Sequence, residues 1–186
     1  MPGPSGIEAF AIISADGMIA DASGNMPDAL HVPADQEFFH AGLDRAAALV
    51  HGRHSHESGP QAARRRRLIV TRRVDAIAPA PDYPPALFWN PAGALLGEAW
   101  SALGADDGML AVLGGADVYA LFWELGYEAF HLTRVGKVRL PGGRPIFREI
   151  ATGRTPEEVL KSHGLIAAQT RVLDPVAKVT LVTWRR

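Results

Sequence analysis

The chain has 186 residues, 47% hydrophobic and 21% charged, with a formal net charge of −1. Those values fit one globular domain spanning residues 1–186 and exclude general disorder. With 19 Lys and Arg against 20 Asp and Glu, no global field favours nucleic acid or an anionic membrane, and the lack of cysteine excludes thiol catalysis, disulfide scaffolds and cysteine-ligated metal. No apolar run reaches the roughly 18 residues of a membrane span. Residues 1–6 lack the basic and apolar regions of a signal peptide and are expected to be flexible. A cytoplasmic location is expected.

Phe10-Ala11-Ile12-Ile13 is a short apolar run ended by Asp16-Gly17, which reads as a buried strand entering a turn. Residues 20–33 form a loop long enough to suspect function. Pro33-Ala34-Asp35 opens a helix carrying Phe38, Phe39 and Leu43. Strands are expected at Ala48–His51, Leu68–Thr71 and Ala86–Trp89, then a helix over Leu95–Leu103. Met109–Leu113 is a strand running into Gly114-Gly115, followed by a helix from Asp117 to Leu125 and the strand Ala129–Thr133. Thr155-Pro156-Glu157-Glu158 has a helix-start pattern, with a Thr cap, Pro at the first position and Glu three after the cap. Two extended stretches, Leu165–Leu173 and Ala177–Trp184, close the chain. Strands alternating with helices predict a mixed, mostly parallel sheet with helices on both faces; the final pair predicts an antiparallel edge.

Four places can carry chemistry. Gly114-Gly115 lies between a strand and a helix, where backbone can approach an anion closely; the alternative is a tight turn with no ligand. Gly52-Arg53-His54-Ser55-His56-Glu57 also follows a strand and suits a phosphate. Its rival reading is a metal held by His51, His54 and His56, but that spacing does not put all three on one face of a regular element, and no metal is expected. Arg64–Arg67 with Arg72-Arg73 is either a solvated basic edge or a strand whose two ends meet separate anions; nucleic acid is disfavoured by the neutral whole and the lack of interleaved aromatics. Asp35 lies in the first turn of its helix, where it can cap or balance the dipole. Phe38 and Phe39, three and four residues on, share its face. Aromatic walls would desolvate the carboxylate and raise its pKa, suiting it to bind a cationic heterocycle and assist protonation.

In this order the segments resemble dihydrofolate reductase. Ala11–Ala20 is similar to the family's first strand and the start of its mobile loop, and Asn25-Met26-Pro27 to the later part of that loop. Val32-Pro33-Ala34-Asp35 with Phe38-Phe39 resembles the helix of the active-site acid. Gly52–Glu57 resembles G-R-x-T-x-E, and Arg65–Arg72 resembles R-x-x-I-V-L-S. Gly114-Gly115-Ala116-Asp117-Val118-Tyr119 resembles G-G-x-x-V-Y, and His131-Leu132-Thr133 resembles y-L-T. The resemblance spans about Ile7 to Phe147. It implies a single-domain fold with an eight-stranded sheet, NADPH as cofactor, and hydride transfer to C6 of dihydrofolate with protonation at N5.

Carried over residue by residue, the resemblance implies that Ala11 meets the nicotinamide amide through its backbone and that Ile19 and Ala20 line the ring. Gly52, Arg53, His54 and Ser55 would hold cofactor phosphates, with Arg72 beside the adenosine 2′-phosphate. Gly114, Gly115, Ala116, Asp117 and Val118 would form the pyrophosphate turn, with Tyr119 near the nicotinamide. On the substrate side, Asp35 would bind the pterin and act catalytically. Phe10 and Phe39 would pack on that ring, Thr133 would support Asp35, and Arg65 would pair with the glutamate tail.

Several residues depart from that pattern. Asp28 follows Pro27 where the family has tryptophan, making it either a second acid or a loop residue. Ser55 replaces threonine, Gly142-Gly143-Arg144-Pro145-Ile146-Phe147 replaces D-T-x-F-P, and Thr155–Ser162 is an added helix. Ser14–Ala20 and the Gly-Gly before Pro145-Ile146-Phe147 also resemble the riboflavin-pathway reductase domain, which acts on a phosphorylated ribosylamino-pyrimidine. The readings open here are therefore reduction of dihydrofolate, reduction of such a pyrimidine or another heterocycle, and binding of a nucleotide or a partner without turnover. The expected partner is a small-molecule folate or related heterocycle, with no nucleic acid and no membrane.

Overall fold

The computed structural model describes residues 3–55, 59, 61–83 and 85–186. Its main sheet contains β1 (Gly6–Ser14), β3 (Ala48–Gly52), β4 (Arg67–Val70), β5 (Ile77–Pro79), β6 (Ala86–Trp89), β7 (Met109–Val112), β8 (Ala129–Val135), β10 (Ile166–Asp174) and β11 (Val179–Arg185). Across the sheet the order is β10-β11-β8-β1-β7-β3-β4-β6-β5. The central strands run parallel, as their short apolar runs predict, and β10-β11 forms the expected antiparallel edge. The sheet has nine strands where eight were expected. The added one is β5, three residues that pair antiparallel with β6 and carry too little periodicity to be read from sequence.

A second, two-stranded sheet joins β2 (Met18–Ala20) to β9 (Arg144–Pro145). The flexible lead expected through residue 6 is shorter: the Ser5 N–H donates to the Gly108 carbonyl at 2.9 Å and β1 begins at Gly6.

The helices are α1 (Pro33–Arg45), α2 (Leu96–Leu103), α3 (Ala116–Leu121) and α4 (Pro156–Ser162). Alternation along the strands sorts them between the two faces. Ile7, Ala9 and Ile13 of β1, with Val50, Leu110 and Phe130, form one core with Trp100 of α2, Phe122 just beyond α3 and Leu160 of α4. The opposite side chains, Phe10, Leu49 and Ala111, pack with Leu43, Phe38 and Phe39 of α1. Helix α4 carries the predicted box: the Glu158 N–H donates to Thr155 Oγ1 at 3.2 Å, and the Thr155 N–H donates to Glu158 Oε2 at 2.7 Å.

The helix expected to reach Leu125 stops at Leu121. The Phe122 and Trp123 N–H groups bond three residues back, and the buried Tyr127 hydroxyl donates to the Tyr119 carbonyl at 2.8 Å, an acceptor a continuing helix would need. Among the described residues, no helix is long and apolar enough to cross a membrane.

Candidate active site

The parallel strands deliver the site at their carboxyl ends, where open α/β sheets hold ligands. Strand β1 pairs with β7 only from Gly6 to Ala9, while its pairing with β8 continues to Ser14. From Phe10 onward, one edge of β1 is therefore free of a neighbouring strand. A cavity of about 670 Å³ opens there, within the usual size of a small-molecule site.

Two turns form one wall. The Gly52 N–H donates to the Gly114 carbonyl at 2.8 Å, tying the end of β3 to the turn after β7. Gly114 has φ +93°, and a Cβ there would lie 2.8 Å from the Tyr119 ring. Only glycine accepts that backbone and that approach without strain. Gly115 points the other way: a Cβ on it would meet only Ser55 Oγ at 3.8 Å and Ile19 Cδ1 at 3.9 Å. The result is a notch between the two turns, backed by Arg53, His54, Ala116 and Val118. Asp117 also lines the cavity, and its carboxylate is held by Arg148 at 2.6 Å. Ile19 and Ala20, on β2, line the cavity beside the notch with Ala11. The Tyr119 hydroxyl is buried and donates to the Phe10 carbonyl at 2.6 Å, and burial beside Asp35 pushes its pKa far up. It stays protonated and fixes the floor.

The other wall is α1. Its N-cap is Val32, with no side-chain cap bond, so Asp35 does not serve as the cap. Its carboxyl group instead turns inward and hydrogen-bonds the Thr133 side chain. Burial raises its pKa to about 6, against the opposing pull of that bond. Phe10 sits beneath, 6.1 Å between centroids from both Phe38 and Phe39.

His131, two residues before Thr133, lies on the same face of β8 and also lines the cavity. Its ring stacks on Phe10 at 4.7 Å, and its nitrogens are fixed by Glu8 and Thr183, each at 3.0 Å. The hydrogen bond from His131 holds the Glu8 carboxyl below its ordinary pKa, against the effect of burial.

The cavity thus brings together Phe10, Ala11, Ile19, Ala20, Asp35, Phe39, Gly52, Arg53, His54, Ser55, Gly115–Tyr119 and Thr133. Gly114 lies behind its wall. Arg72 is exposed just beyond the carboxyl end of β4, where Val70 registers with Gly52. Arg65 is elsewhere: it precedes the amino end of β4, at the far end of the sheet, and its guanidinium pairs with Asp44 of α1 at 2.6 Å. Asp28, the other candidate acid, is exposed in a 3-10 turn 3.5 Å from His31 and does not line the cavity. His56 and Glu57 lie outside the described residues, among which no group of three potential ligands could hold a metal.

Sequence reasoning gave no site role to His131, His31 or Arg144, which also line the cavity. His131 was visible only as part of its strand. Arg144 is brought in by the pairing of β9 with β2, some 125 residues earlier in the chain, which leaves no local signal.

No protein-family model matches the chain, and no curated protein matches it. Solved structures do. A "Putative riboflavin biosynthesis protein" from Shewanella sp. PV-4 aligns with a TM-score of 0.68 at 20% identity, over 97% of this chain and 98% of its own. The diaminohydroxyphosphoribosylaminopyrimidine deaminase/5-amino-6-(5-phosphoribosylamino)uracil reductase of Thermotoga maritima aligns with a TM-score of 0.66 at 15% identity, over 96% of this chain but 56% of its own. A pyrimidine reductase-like protein of Corynebacterium diphtheriae aligns with a TM-score of 0.65 at 15% identity, over 97% of this chain and 91% of its own. At these identities the likeness concerns the fold, which is the dihydrofolate reductase-like α/β fold expected from the sequence.

Proposed function

We propose that the chain is an NADPH-dependent reductase of the riboflavin-pathway type, acting on a phosphorylated ribosylamino-pyrimidine. One observation carries this reading: a partly buried carboxyl with a pKa of about 6 faces the same cavity as a glycine notch fit for a dinucleotide. The names of two structural neighbours favour a pyrimidine over dihydrofolate, and that of the third names riboflavin biosynthesis. So does the engagement of Arg65 by Asp44, which removes the expected partner of a glutamate tail from the cavity. Dihydrofolate is the second reading, favoured by the Asp35–Thr133 bond that the family resemblance implies.

The notch at Gly115 supports a bound NADPH, because it leaves room for a ligand where any larger residue would project. When bound, that cofactor supplies a hydride from its nicotinamide ring. Gly115, Ser55 and Arg53 would hold its phosphates; Ile19, Ala20 and the Ala11 backbone would flank the nicotinamide. Asp35 and Thr133 would orient the heterocycle over Phe10, and Asp35, exchanging a proton near pH 6, would help deliver the one that must accompany the hydride. Arg144 at the cavity wall has no carboxylate partner among the described residues and suits the substrate's phosphate.

Loss of NADPH absorbance, followed with the pyrimidine and with dihydrofolate in parallel, tests the reading. Turnover is expected with the pyrimidine. Turnover with dihydrofolate alone would favour the second reading, and turnover with neither would leave a nucleotide-binding protein.

Cofactor choice gives a separate prediction. Arg53 and the exposed Arg72 flank the turn where a 2′-phosphate would lie. A hydrogen bond to a charged group contributes about 1.5–3 kcal/mol. Arg53→Ala with Arg72→Ala should therefore raise KM for NADPH roughly tenfold or more while moving KM for NADH little. An unchanged ratio of the two constants would remove both arginines from cofactor recognition.

A further inference from the structure

We propose that Glu8, His131 and Thr183 form one positioning unit of the site, a role that rests on the reductase function proposed above. The unit fixes the plane of the Phe10 ring, over which the heterocyclic substrate would lie. Three strands bring it together. Phe10 of β1 registers with His131 of β8, and His131 registers with Thr183 of β11. Residues in register share a face of the sheet, and Glu8, two residues before Phe10, shares it too. That face is the one covered by α1, where Phe10 packs against Phe38 and Phe39.

Each nitrogen of the His131 ring is bonded, Nε2 to Glu8 Oε2 and Nδ1 to Thr183 Oγ1, both at 3.0 Å. Glu8 is a carboxylate, kept so by the bond from His131 against the effect of burial, so its oxygens only accept and the shared proton sits on Nε2. The Thr183 hydroxyl donates to Nδ1 or accepts from it, which clamps the ring whether it is neutral or charged. His131 is 6% exposed and Thr183 8%, so little water competes for these bonds. With both nitrogens engaged, His131 has no hydrogen bond left for a ligand in the cavity it lines. It acts through its neighbours. Its ring stacks on Phe10 at 4.7 Å and meets Phe38 edge-on at 5.2 Å. Phe10 is thus held twice, at its carbonyl by the Tyr119 hydroxyl and at its ring by His131. A stable wall does not require such a trio, since a buried carboxylate–imidazole pair adds little stability over well-packed apolar side chains of the same volume. Directional bonds supply what packing alone lacks, a single ring orientation. Hydride transfer demands that precision, because a displacement of about 1 Å can cost roughly a hundredfold in rate.

Steady-state kinetics on paired variants test the role. Glu8→Met and Thr183→Val each break one bond at nearly constant volume. Each should lower kcat for the heterocycle, pyrimidine or dihydrofolate, roughly tenfold to a hundredfold. KM for NADPH should stay unchanged, because the turns proposed to hold the cofactor follow β3 and β7 instead. Glu8→Gln keeps an acceptor for Nε2 and Thr183→Ser keeps a hydroxyl for Nδ1, so both should recover most of the lost rate. Because the three residues act as a unit, Glu8→Met combined with Thr183→Val should be no slower than the worse single variant, whereas independent losses would multiply. Should Glu8→Met fail to fold, the isosteric Thr183→Val decides by itself. The unmodified protein gives a further check: long-range proton–nitrogen NMR spectra at pH 8 should place the His131 proton on Nε2. Full kcat in the bond-breaking variants, equal losses in the conservative and bond-breaking variants, or a proton on Nδ1 alone would overturn the positioning role and leave the reductase reading intact. An unmodified protein that turns over neither heterocycle would instead overturn the reductase reading, and this role with it.

Discussion

Asp35→Asn is expected to lower turnover roughly a hundred- to ten-thousand-fold, the usual contribution of a positioned proton donor, and to leave NADPH affinity unchanged. The two halves of that result have separate origins. Asp35 sits on α1 and contacts Thr133 of β8, whereas the notch proposed for the cofactor is built by the turns after β3 and β7. If Asp35 is the proposed proton donor, the rate of the unmodified protein should fall as pH rises through about 6, because deprotonation removes the donor. That limb should be missing from whatever activity Asp35→Asn retains.

The same substitution should stabilise the fold at pH 8. The carboxyl's pKa moves from 3.8 unfolded to about 6 folded, so the folded state holds the proton more tightly. Well below pH 3.8 both states are protonated and the group costs nothing. As pH rises toward and past 6, the folded state must bear a buried charge, at a cost of about 3 kcal/mol. Asparagine removes that charge. Urea denaturation of the two proteins at pH 4 and pH 8 should show a several-fold larger gain for Asp35→Asn at the higher pH. Equal activity in both proteins would return Asp35 to a structural role.

Gly114 and Gly115 should respond in opposite ways to substitution. Gly114→Ala forces a side chain into positive φ and against the Tyr119 ring, whose hydroxyl is pinned to the Phe10 carbonyl. A cost of about 1–3 kcal/mol is expected for strain of this kind, visible as a lower urea midpoint with or without cofactor. Gly115→Val has ordinary space around its Cβ and a φ of −69° that side-chain-bearing residues adopt, so the free protein should be nearly as stable as the original. Its methyl groups, however, would fill the notch between Ser55 and Ile19. NADPH affinity, measured by the change in its fluorescence on binding, should fall roughly tenfold or more for a clash costing about 1.4 kcal/mol or above. Unimpaired NADPH binding by Gly115→Val would move the cofactor away from this turn.

Much of this arrangement was readable from local sequence. Short apolar runs such as Ala48–His51 and Met109–Leu113 ended at glycines, and those glycines became the two turns of the notch. Asp35 followed by two phenylalanines at helical spacing gave the acid and its aromatic wall. What escaped reading depended on contacts distant along the chain. The strands β2 and β9 have three and two residues and take their conformation from each other, so neither carries a period of its own. Helix α3 ended early because Tyr127, outside it, claims one of its carbonyls. Arg65 has the residue type suited to a substrate carboxylate, but α1 offers it Asp44 first. Its spacing before β4 gave no sign of that pairing.

Deuterium transfer tests the central claim most directly. The protein is incubated with the phosphorylated ribosylamino-pyrimidine and NADPH carrying deuterium at the transferable C4 position, and the products are weighed by mass spectrometry. The proposed function predicts a pyrimidine product one mass unit heavier than that formed with ordinary NADPH, and almost none of it with Asp35→Asn. An unlabelled pyrimidine recovered unchanged, while dihydrofolate in the same assay takes up the label, would contradict it.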